Sequence, residues 1–183
     1  MSPLVSVVND LLSIGVVVAQ VASIIVLAGL ILKLVTKKSN TITEFTSNNA
    51  VLVSFAVALV ATMGSLFYSE IAGFEPCVLC WYQRILMYPQ VITLGLGLWD
   101  RNKGVVYSSI VFSIIGGSIA FYHYLGQIGA TTLKCDIVGY SSACSTQFVL
   151  NFGYITIPLM AFAGFVLIFL SMITRWWEQG TQR

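Results

Sequence analysis

The charged residues of the chain leave five long apolar stretches between them. The first is an uncharged run from Leu11 to Leu32, and the third is interrupted only by Arg84 near its start. An α-helix needs ~20 predominantly apolar residues to cross the hydrocarbon core of a bilayer. The pattern therefore predicts an all-α integral membrane protein with five transmembrane helices. The predicted spans are 11–32, 50–69, 78–99, 105–125 and 152–173.

The composition supports this prediction and excludes a water-soluble domain. Hydrophobic residues make up 57% of the 183 residues and charged residues only 9%, whereas roughly a quarter of a typical soluble domain is charged. The mean hydropathy of +0.89 leaves too little polar surface to face water on all sides. The net charge is only +2 and no basic block is present, so the lipid bilayer is a predicted partner and nucleic acid is not.

The distribution of lysine and arginine predicts the orientation in the membrane. Cytoplasmic segments carry an excess of these residues, and seven of the nine fall on one side if five spans alternate. We therefore expect the N-terminus outside and the C-terminus in the cytoplasm. No cation precedes the first span and a lysine pair follows it, which favours a retained anchor over a cleaved signal peptide. The seven cations are Lys33, Lys37, Lys38, Arg101, Lys103, Arg175 and Arg183.

All four cysteines fall on the predicted outer side, in two pairs. Cys77 and Cys80 stand where an outer segment turns into the third span, and Cys135 and Cys144 lie in the loop between the fourth and fifth spans. Disulfides persist outside the cytosol, which keeps thiols reduced. Two pairs on one side indicate either thiol–disulfide redox chemistry or a loop closed by structural disulfides.

The first pair forms a Cys-x-x-Cys motif at a predicted helix start. Pro76 suits a first helical turn, and the spacing places Cys77, Cys80 and Arg84 on one face. A helix N-terminus and a nearby guanidinium both stabilise a thiolate, and an arginine so close to the apolar zone usually has a functional partner. The motif favours redox chemistry; half of a zinc site and a pair of buried small residues are the alternatives.

The second pair encloses eight residues, including Gly139 and serines that give the loop flexibility. Alone, such a loop favours a static structural disulfide. A metal site formed by all four cysteines matches no common zinc spacing. A thiol pair beside the membrane together with a second pair in a loop suggests a relay that passes electrons by disulfide exchange.

Such a relay needs an electron acceptor, and a membrane quinone is the obvious lipid-soluble one. His123, the only histidine, lies near the outer end of the fourth span. It is a candidate hydrogen-bond partner of a quinone oxygen, or else an ordinary interfacial residue. Six aromatic residues at a similar level are candidates for a quinone pocket or for an interfacial belt. They are Trp81, Tyr82, Tyr88, Phe121, Tyr122 and Tyr124.

Several segments resemble the disulfide bond formation protein B (DsbB) family, including its Gram-positive members of the BdbC type. The Cys-Val-Leu-Cys block with its following arginine is quite specific, and the resemblance extends over about residues 51–174. The segments that carry it are 77–89, 121–124, the loop with the second cysteine pair, and 152–158.

This resemblance implies a thiol:quinone oxidoreductase of the bacterial cytoplasmic membrane that forms disulfides de novo. Cys77 and Cys80 would be the pair coupled to ubiquinone or menaquinone, with Cys80 nearer the ring. Arg84 would stabilise the negative charge there. Cys135 would form a mixed disulfide with an extracytoplasmic thioredoxin-fold thiol oxidase of the DsbA or BdbD type, and Cys144 would exchange with Cys77. No metal is expected.

The resemblance also implies a four-helix transmembrane bundle, to which this chain adds one N-terminal transmembrane helix. We therefore divide the chain into the extra helix with a cytoplasmic connector (1–49), a four-helix redox bundle (50–175) and a cytoplasmic tail (176–183). The loop between the second pair of cysteines is shorter than in Gram-negative members, which leaves open how Cys144 reaches Cys77.

Two other functions remain open at this point. One is a membrane scaffold whose cysteines bind metal or form inert disulfides. The other is a quinone reductase of the vitamin K epoxide reductase type. In proteins of that type the loop cysteines precede the Cys-x-x-Cys motif, whereas Cys135 and Cys144 follow it here, and this order favours the first reading.

Overall fold

The computed structural model describes residues 3–99, 103–132 and 144–181 and is built from five long helices. The predicted fold class is confirmed, because the described chain is almost entirely α-helical. Cys135, together with Arg101 and Arg183 of the orientation argument, lies outside the described residues. The helices are α1 (Pro3–Thr36), α2 (Thr41–Leu66, extended by a π-helical turn over Phe67–Ile71), α3 (Val78–Trp99), α4 (Lys103–Gln127) and α5 (Ile157–Thr181).

Four of these helices are both long and apolar enough to cross a membrane: α1, α2, α4 and α5. The third helix has 22 residues, but Gln83, Arg84 and Gln90 lower its hydropathy. Apolar side chains cover the outside of the bundle; Ile24 and Ile92, for example, are 66% and 68% exposed. A surface of this kind requires lipid rather than water around it, so the protein is a multi-pass membrane protein.

The last helix, α5, lies at the centre of the bundle and packs against α1, α2 and α4. Its Phe165, Ile168 and Met172 are fully buried in the main core. A Cβ atom on Gly116 of α4 would lie 2.3 Å from the Phe165 ring. Only glycine allows the two helices to approach so closely there, as is common between transmembrane helices.

The added helix α1 packs along the bundle instead of standing apart from it. Its Val16 belongs to one hydrophobic cluster with the buried side chains of Ile155, Leu159 and Ala163. Lower down, Val26 and Leu30 join a cluster with Leu170 of α5. The wall that α1 forms is therefore continuous with the protein core.

Polar contacts fix α1 at both ends. Near its start, the Asn151 amide donates hydrogen bonds to Asp10 Oδ1 (3.2 Å) and Ser13 Oγ (2.9 Å). Near its end, Lys33 forms a 2.8 Å ion pair with Glu178 of α5. Because both ion-pair partners are largely shielded from solvent, this contact is a specific anchor rather than a loose surface pair.

The predicted cytoplasmic connector, which ends at residue 49, is helical from Thr41 onward. Asn40 is the N-cap of α2: its side chain accepts from the Thr43 backbone N–H, and the Thr43 hydroxyl oxygen accepts from the Asn40 N–H. This reciprocal capping starts the helix early in a polar sequence. At the other end, α5 runs on to Thr181, beyond the predicted tail boundary at 175. The division into three regions itself stays a prediction.

Candidate active site

Cys77 occupies the N-cap position of α3. Its carbonyl accepts a hydrogen bond from the Trp81 backbone N–H (3.1 Å), and the helix proper begins at Val78. Pro76, expected in the first turn, therefore lies just before the helix. The backbone N–H of Cys80 donates to the Cys77 sulfur, so the sulfur receives one of the unpaired N–H groups of the first turn.

The two sulfurs of the motif lie 3.0 Å apart, and both cysteines are free thiols. Cys77 is buried, while Cys80 is partly accessible. At this distance one thiol donates to the other, so a single proton can be shared by the pair. This confirms that the first motif places its two cysteines together at a helix start.

His123 of α4 connects the two cysteine-bearing segments. The Gln83 side-chain amide donates to Nδ1 of the ring (3.1 Å). Nε2 therefore carries the ring hydrogen, as assigned from these partners, and donates to the Cys144 carbonyl (3.0 Å). The same Nε2 lies 3.7 Å from the Cys77 sulfur. The ring is fully buried, so each of these contacts is made without competition from water.

These contacts change the acidity of Cys77. The hydrogen bond from the Cys80 thiol lowers the pKa of Cys77, helped by His123 and opposed by burial. A lowered pKa favours the thiolate, which is the form that attacks disulfides.

Cys144 lies directly above this pair. It is buried, it is disulfide-bonded, and its sulfur lies within 4.8 Å of both the Cys77 sulfur and a His123 ring nitrogen. The short loop therefore does not prevent Cys144 from approaching Cys77. The structure brings Cys77, Cys80 and Cys144 together; the fourth cysteine, Cys135, falls on residues that are not described.

Aromatic stacking holds the two outer segments in register. Phe74, just before the motif, stacks on Tyr68 at 5.8 Å and on Phe148 at 4.8 Å between ring centroids. Phe148 follows Cys144 in the chain, so this stack fixes the Cys144 segment against the segment that leads into Cys77. The Gln127 amide adds a 3.1 Å hydrogen bond to the Thr146 carbonyl.

A cavity of about 380 Å³ opens beneath the sulfurs and extends into the bundle. Its walls are mostly apolar, and Arg84 supplies a positive charge near its outer end. Arg84 donates from Nε to Ser65 Oγ and from Nη2 to the Ser65 carbonyl, each at 3.0 Å. The Tyr88 hydroxyl donates to the same Ser65 Oγ (3.1 Å). Ser65 thus holds the guanidinium at the cavity wall close to Cys80.

Comparison with known proteins agrees with this arrangement of cysteines. The sequence model of the family described as "Disulfide bond formation protein DsbB" matches residues 47–175, which is most of the chain. The chain belongs to the DsbB family. No solved structure matches it.

Two of the proteins similar to this chain are named for disulfide formation. "Disulfide bond formation protein C" of Bacillus subtilis is 45% identical over 121 residues, which cover 65% of this chain and 86% of that protein. "Probable disulfide formation protein C" of Halalkalibacterium halodurans is 43% identical over 126 residues, covering 68% of this chain and 91% of that protein. These relatives are matched over nearly their whole length, whereas the family match leaves α1 of this chain uncovered.

The cysteines of this DsbB-family site were predictable from the sequence, whereas most residues around them were not. Of the six aromatic residues considered for a pocket, Tyr88 alone lines the cavity. Tyr68, Phe74 and Phe148 line it without having been predicted. Gln83 and Ser65 were also missed, and the only signal for Gln83 is a polar residue three positions after Cys80 in an apolar helix.

Proposed function

We propose that this DsbB-family protein is a thiol:quinone oxidoreductase of the bacterial cytoplasmic membrane that reoxidises an extracytoplasmic thioredoxin-fold thiol oxidase. Membership of the family supports membrane-bound disulfide formation, and the relatives are named for it. The observation that carries the finer proposal is the position of Cys144 within 4.8 Å of Cys77, above an apolar cavity that contains Cys80 and Arg84.

The first half of the reaction takes place at the second cysteine pair. A thiolate of the reduced partner attacks Cys135, a mixed disulfide forms, and Cys144 leaves as a thiolate. The second partner thiol then attacks the mixed disulfide, which releases the partner oxidised and Cys135 reduced. The partner has lost two electrons and two protons, and Cys135 and Cys144 hold the electrons as a dithiol.

The second half moves these electrons inward. The Cys144 thiolate attacks the sulfur of Cys77 in a Cys77–Cys80 disulfide, so that a Cys77–Cys144 disulfide forms and Cys80 leaves. Cys135 then attacks Cys144, and Cys77 leaves as a thiolate. Its low pKa makes Cys77 a good leaving group, and the hydrogen bond from His123 to the Cys144 carbonyl holds the two sulfurs in range.

The cavity fits a quinone. Binding sites for such molecules are concave and mostly apolar, with a few convergent polar groups, and this cavity combines apolar walls with Arg84 and His123. A quinone accepts two electrons and two protons, which converts the Cys77–Cys80 dithiol into a disulfide. Arg84 stabilises negative charge beside Cys80, and the buried surroundings keep water from the thiols.

The experiment that tests this proposal mixes the purified protein with a reduced thioredoxin-fold oxidase and ubiquinone or menaquinone. We expect quinol to form with wild type and not with Cys80→Ser. Absence of quinol with wild type, or an unchanged rate in Cys80→Ser, would refute the proposal.

A metal-binding scaffold is the second candidate, because Cys77, His123 and Cys144 form a compact group of donor atoms. In the described state Cys144 is disulfide-bonded and offers no thiolate, which metal binding by cysteine requires. Metal analysis of the protein as isolated and after reduction separates the two functions: stoichiometric zinc supports the scaffold. The family match favours DsbB-type chemistry over the vitamin K epoxide reductase type.

A further inference from the structure

The cavity beside the cysteines is not formed by the four-helix bundle alone. Its wall includes five residues of α1, a helix outside the part of the chain that matches the DsbB family. The α1 residues that line it are Leu11, Leu12, Gly15, Val16 and Ala19. The added helix therefore covers a face of the bundle, between α2 and α5, that the family match by itself leaves bare.

The cavity opens sideways between α1 and α2. Leu11 of α1 is 63% exposed and Val60 of α2 is 56% exposed, yet both line the cavity. Gly15 and Ala56 share this property. Residues that face both the cavity and the outer surface mark its mouth. The mouth lies between two helices that are long and apolar enough to span a membrane, and its residues fall within the predicted spans 11–32 and 50–69, so it faces lipid.

The two helices touch on either side of this mouth. Toward the outer end, Leu12 of α1 packs against Gly64 of α2, where a Cβ atom would lie 3.2 Å from the leucine. Toward the inner end, Gly29 packs against Ile42, where a Cβ atom would lie 2.9 Å from the isoleucine. Between these contacts a Cβ atom on Gly15 would meet nothing within 4 Å. The opening is therefore bounded by two helix–helix contacts, and the absence of a side chain at Gly15 leaves a gap between α1 and α2.

The cavity has a polar end and an apolar end. Arg84 is held at Ser65 of α2, at the polar end. Ala56, nine positions before Ser65 on α2, lines the apolar end. At a rise of 1.5 Å per residue, Ala56 lies ~13 Å along the helix from Ser65. A molecule with a polar ring and a hydrocarbon tail matches such a profile: the ring lies by Arg84 and the cysteines, and the tail lies along α1 and α2.

We propose that α1 and α2 form a lateral portal through which the hydrocarbon tail of the quinone passes, and that Gly15 keeps this portal open. The inference rests on the proposed function, because the quinone whose tail it places is the electron acceptor in that function. The ion pair and the Asn151 contacts hold α1 in place at both ends, so the width of the portal is set by side chains rather than by movement of the helix. The added helix is then a selectivity element for tailed quinones.

The test compares Gly15→Phe with Ile14→Phe in the full-length protein. Ile14 neighbours Gly15, is 54% exposed and is not part of the cavity wall, so it is a matched control. Each protein is assayed with reduced thioredoxin-fold oxidase and either a quinone with a long isoprenoid tail or menadione, which has no tail. For Gly15→Phe we expect kcat/KM for the tailed quinone to fall about tenfold, which is the size of effect expected when a bulky side chain enters a close-fitting site. The value of kcat/KM for menadione should change little. Ile14→Phe should match wild type with both.

Each other outcome counts against the portal. Equal losses for both quinones in Gly15→Phe, or the same selective loss in Ile14→Phe, would overturn it while the proposed function stands. If wild type reduces neither quinone, the proposed function fails and the portal with it. A second measurement does not depend on folding of a variant: a quinone with a photoreactive group at the end of its tail should label residues 11–19 of wild type. Labelling confined to other helices would contradict the portal.

Discussion

The sulfur of Cys77 lies within 4.8 Å of the sulfur of Cys144, although the two residues belong to different outer segments. A disulfide bond is about 2.05 Å long, so the two sulfurs need to approach by only a few ångströms to exchange. The Phe74–Phe148 stack and the His123 hydrogen bond to the Cys144 carbonyl hold the segments in this position. The short loop is thus compatible with electron transfer between the pairs.

This proximity predicts a disulfide that can be trapped. In a Cys80→Ser, Cys135→Ser double variant, only Cys77 and Cys144 remain, and mild oxidation should join them in nearly all molecules. In the matched Cys77→Ser, Cys135→Ser variant, Cys80 should join Cys144 much more slowly, because the Cys80 sulfur, unlike that of Cys77, does not lie within 4.8 Å of both the Cys144 sulfur and the His123 ring. Mass spectrometry of alkylated protein measures both, and equal yields would contradict the geometry.

The lowered pKa of Cys77 predicts its reactivity as a function of pH. The pKa of Cys77 in the reduced protein is lowered by the Cys80 thiol, so its thiolate persists to a lower pH than that of an ordinary thiol and is lost only as the pH falls through this lowered pKa. Alkylation of Cys77 by iodoacetamide should therefore slow much less between pH 8 and pH 6 than that of an ordinary thiol, which has a pKa of about 8.5 and slows more than tenfold. In Cys80→Ala the principal hydrogen bond to the thiolate is gone, so the profile should shift to higher pH. Peptide-level mass spectrometry gives the rates; an unperturbed profile in wild type would argue against a stabilised thiolate.

Gln83 should act through His123. Replacing Gln83 by Leu removes the donor to Nδ1 and leaves a buried ring nitrogen unpaired, which costs about 1–3 kcal/mol of stability. The ring is then also free to adopt the other tautomer, so that Nε2 no longer donates to the Cys144 carbonyl. We expect a lower melting temperature and slower formation of the Cys77–Cys144 disulfide. A wild-type exchange rate in Gln83→Leu would show that the ring does not position Cys144.

Arg84 and Ser65 give a graded prediction. Arg84→Met removes the positive charge near Cys80, so we expect the quinone KM to rise and kcat to fall. Together these changes should lower kcat/KM by about a hundredfold, which corresponds to the loss of a strong charge-assisted contact of ~3 kcal/mol. Ser65→Ala removes one of the two hydrogen bonds to Arg84 and keeps the one to the backbone carbonyl, so its effect should be much smaller. Steady-state quinone reduction measures both. A larger loss in Ser65→Ala than in Arg84→Met would contradict the role of the guanidinium.

The Lys33–Glu178 ion pair predicts a stability effect that is separate from chemistry. Glu178→Gln leaves Lys33 shielded from water without its counter-ion. Removing one partner of a fully buried pair lowers the free energy of unfolding by about 3–5 kcal/mol, which is the upper limit for this pair. The variant should melt earlier but retain the disulfide exchange between Cys144 and Cys77, which lies at the other end of the bundle. Loss of exchange at temperatures where the variant is folded would contradict this separation.

The helices and the cysteine motif were predictable because their signals are local. Charges bound the apolar runs, and α3 begins and ends where the sequence places it, at Val78 and Trp99. The start of α2 was not predictable in the same way, because a capping box at Asn40 begins the helix within a polar part of the sequence. The contacts of His123, Ser65 and Gly15 were beyond prediction for a different reason: each depends on which helices lie side by side, and no periodicity in a single segment contains that information.

The proposed function requires electrons to pass from Cys144 to Cys77 and on to a quinone. Its most direct test follows partner oxidation and quinol formation together, in one sample, for wild type and Cys144→Ser. We expect one quinol for each partner disulfide in wild type and no quinol in Cys144→Ser, although Cys77 and Cys80 are intact there. Quinol formation from partner thiols at the wild-type rate in Cys144→Ser would contradict the claim.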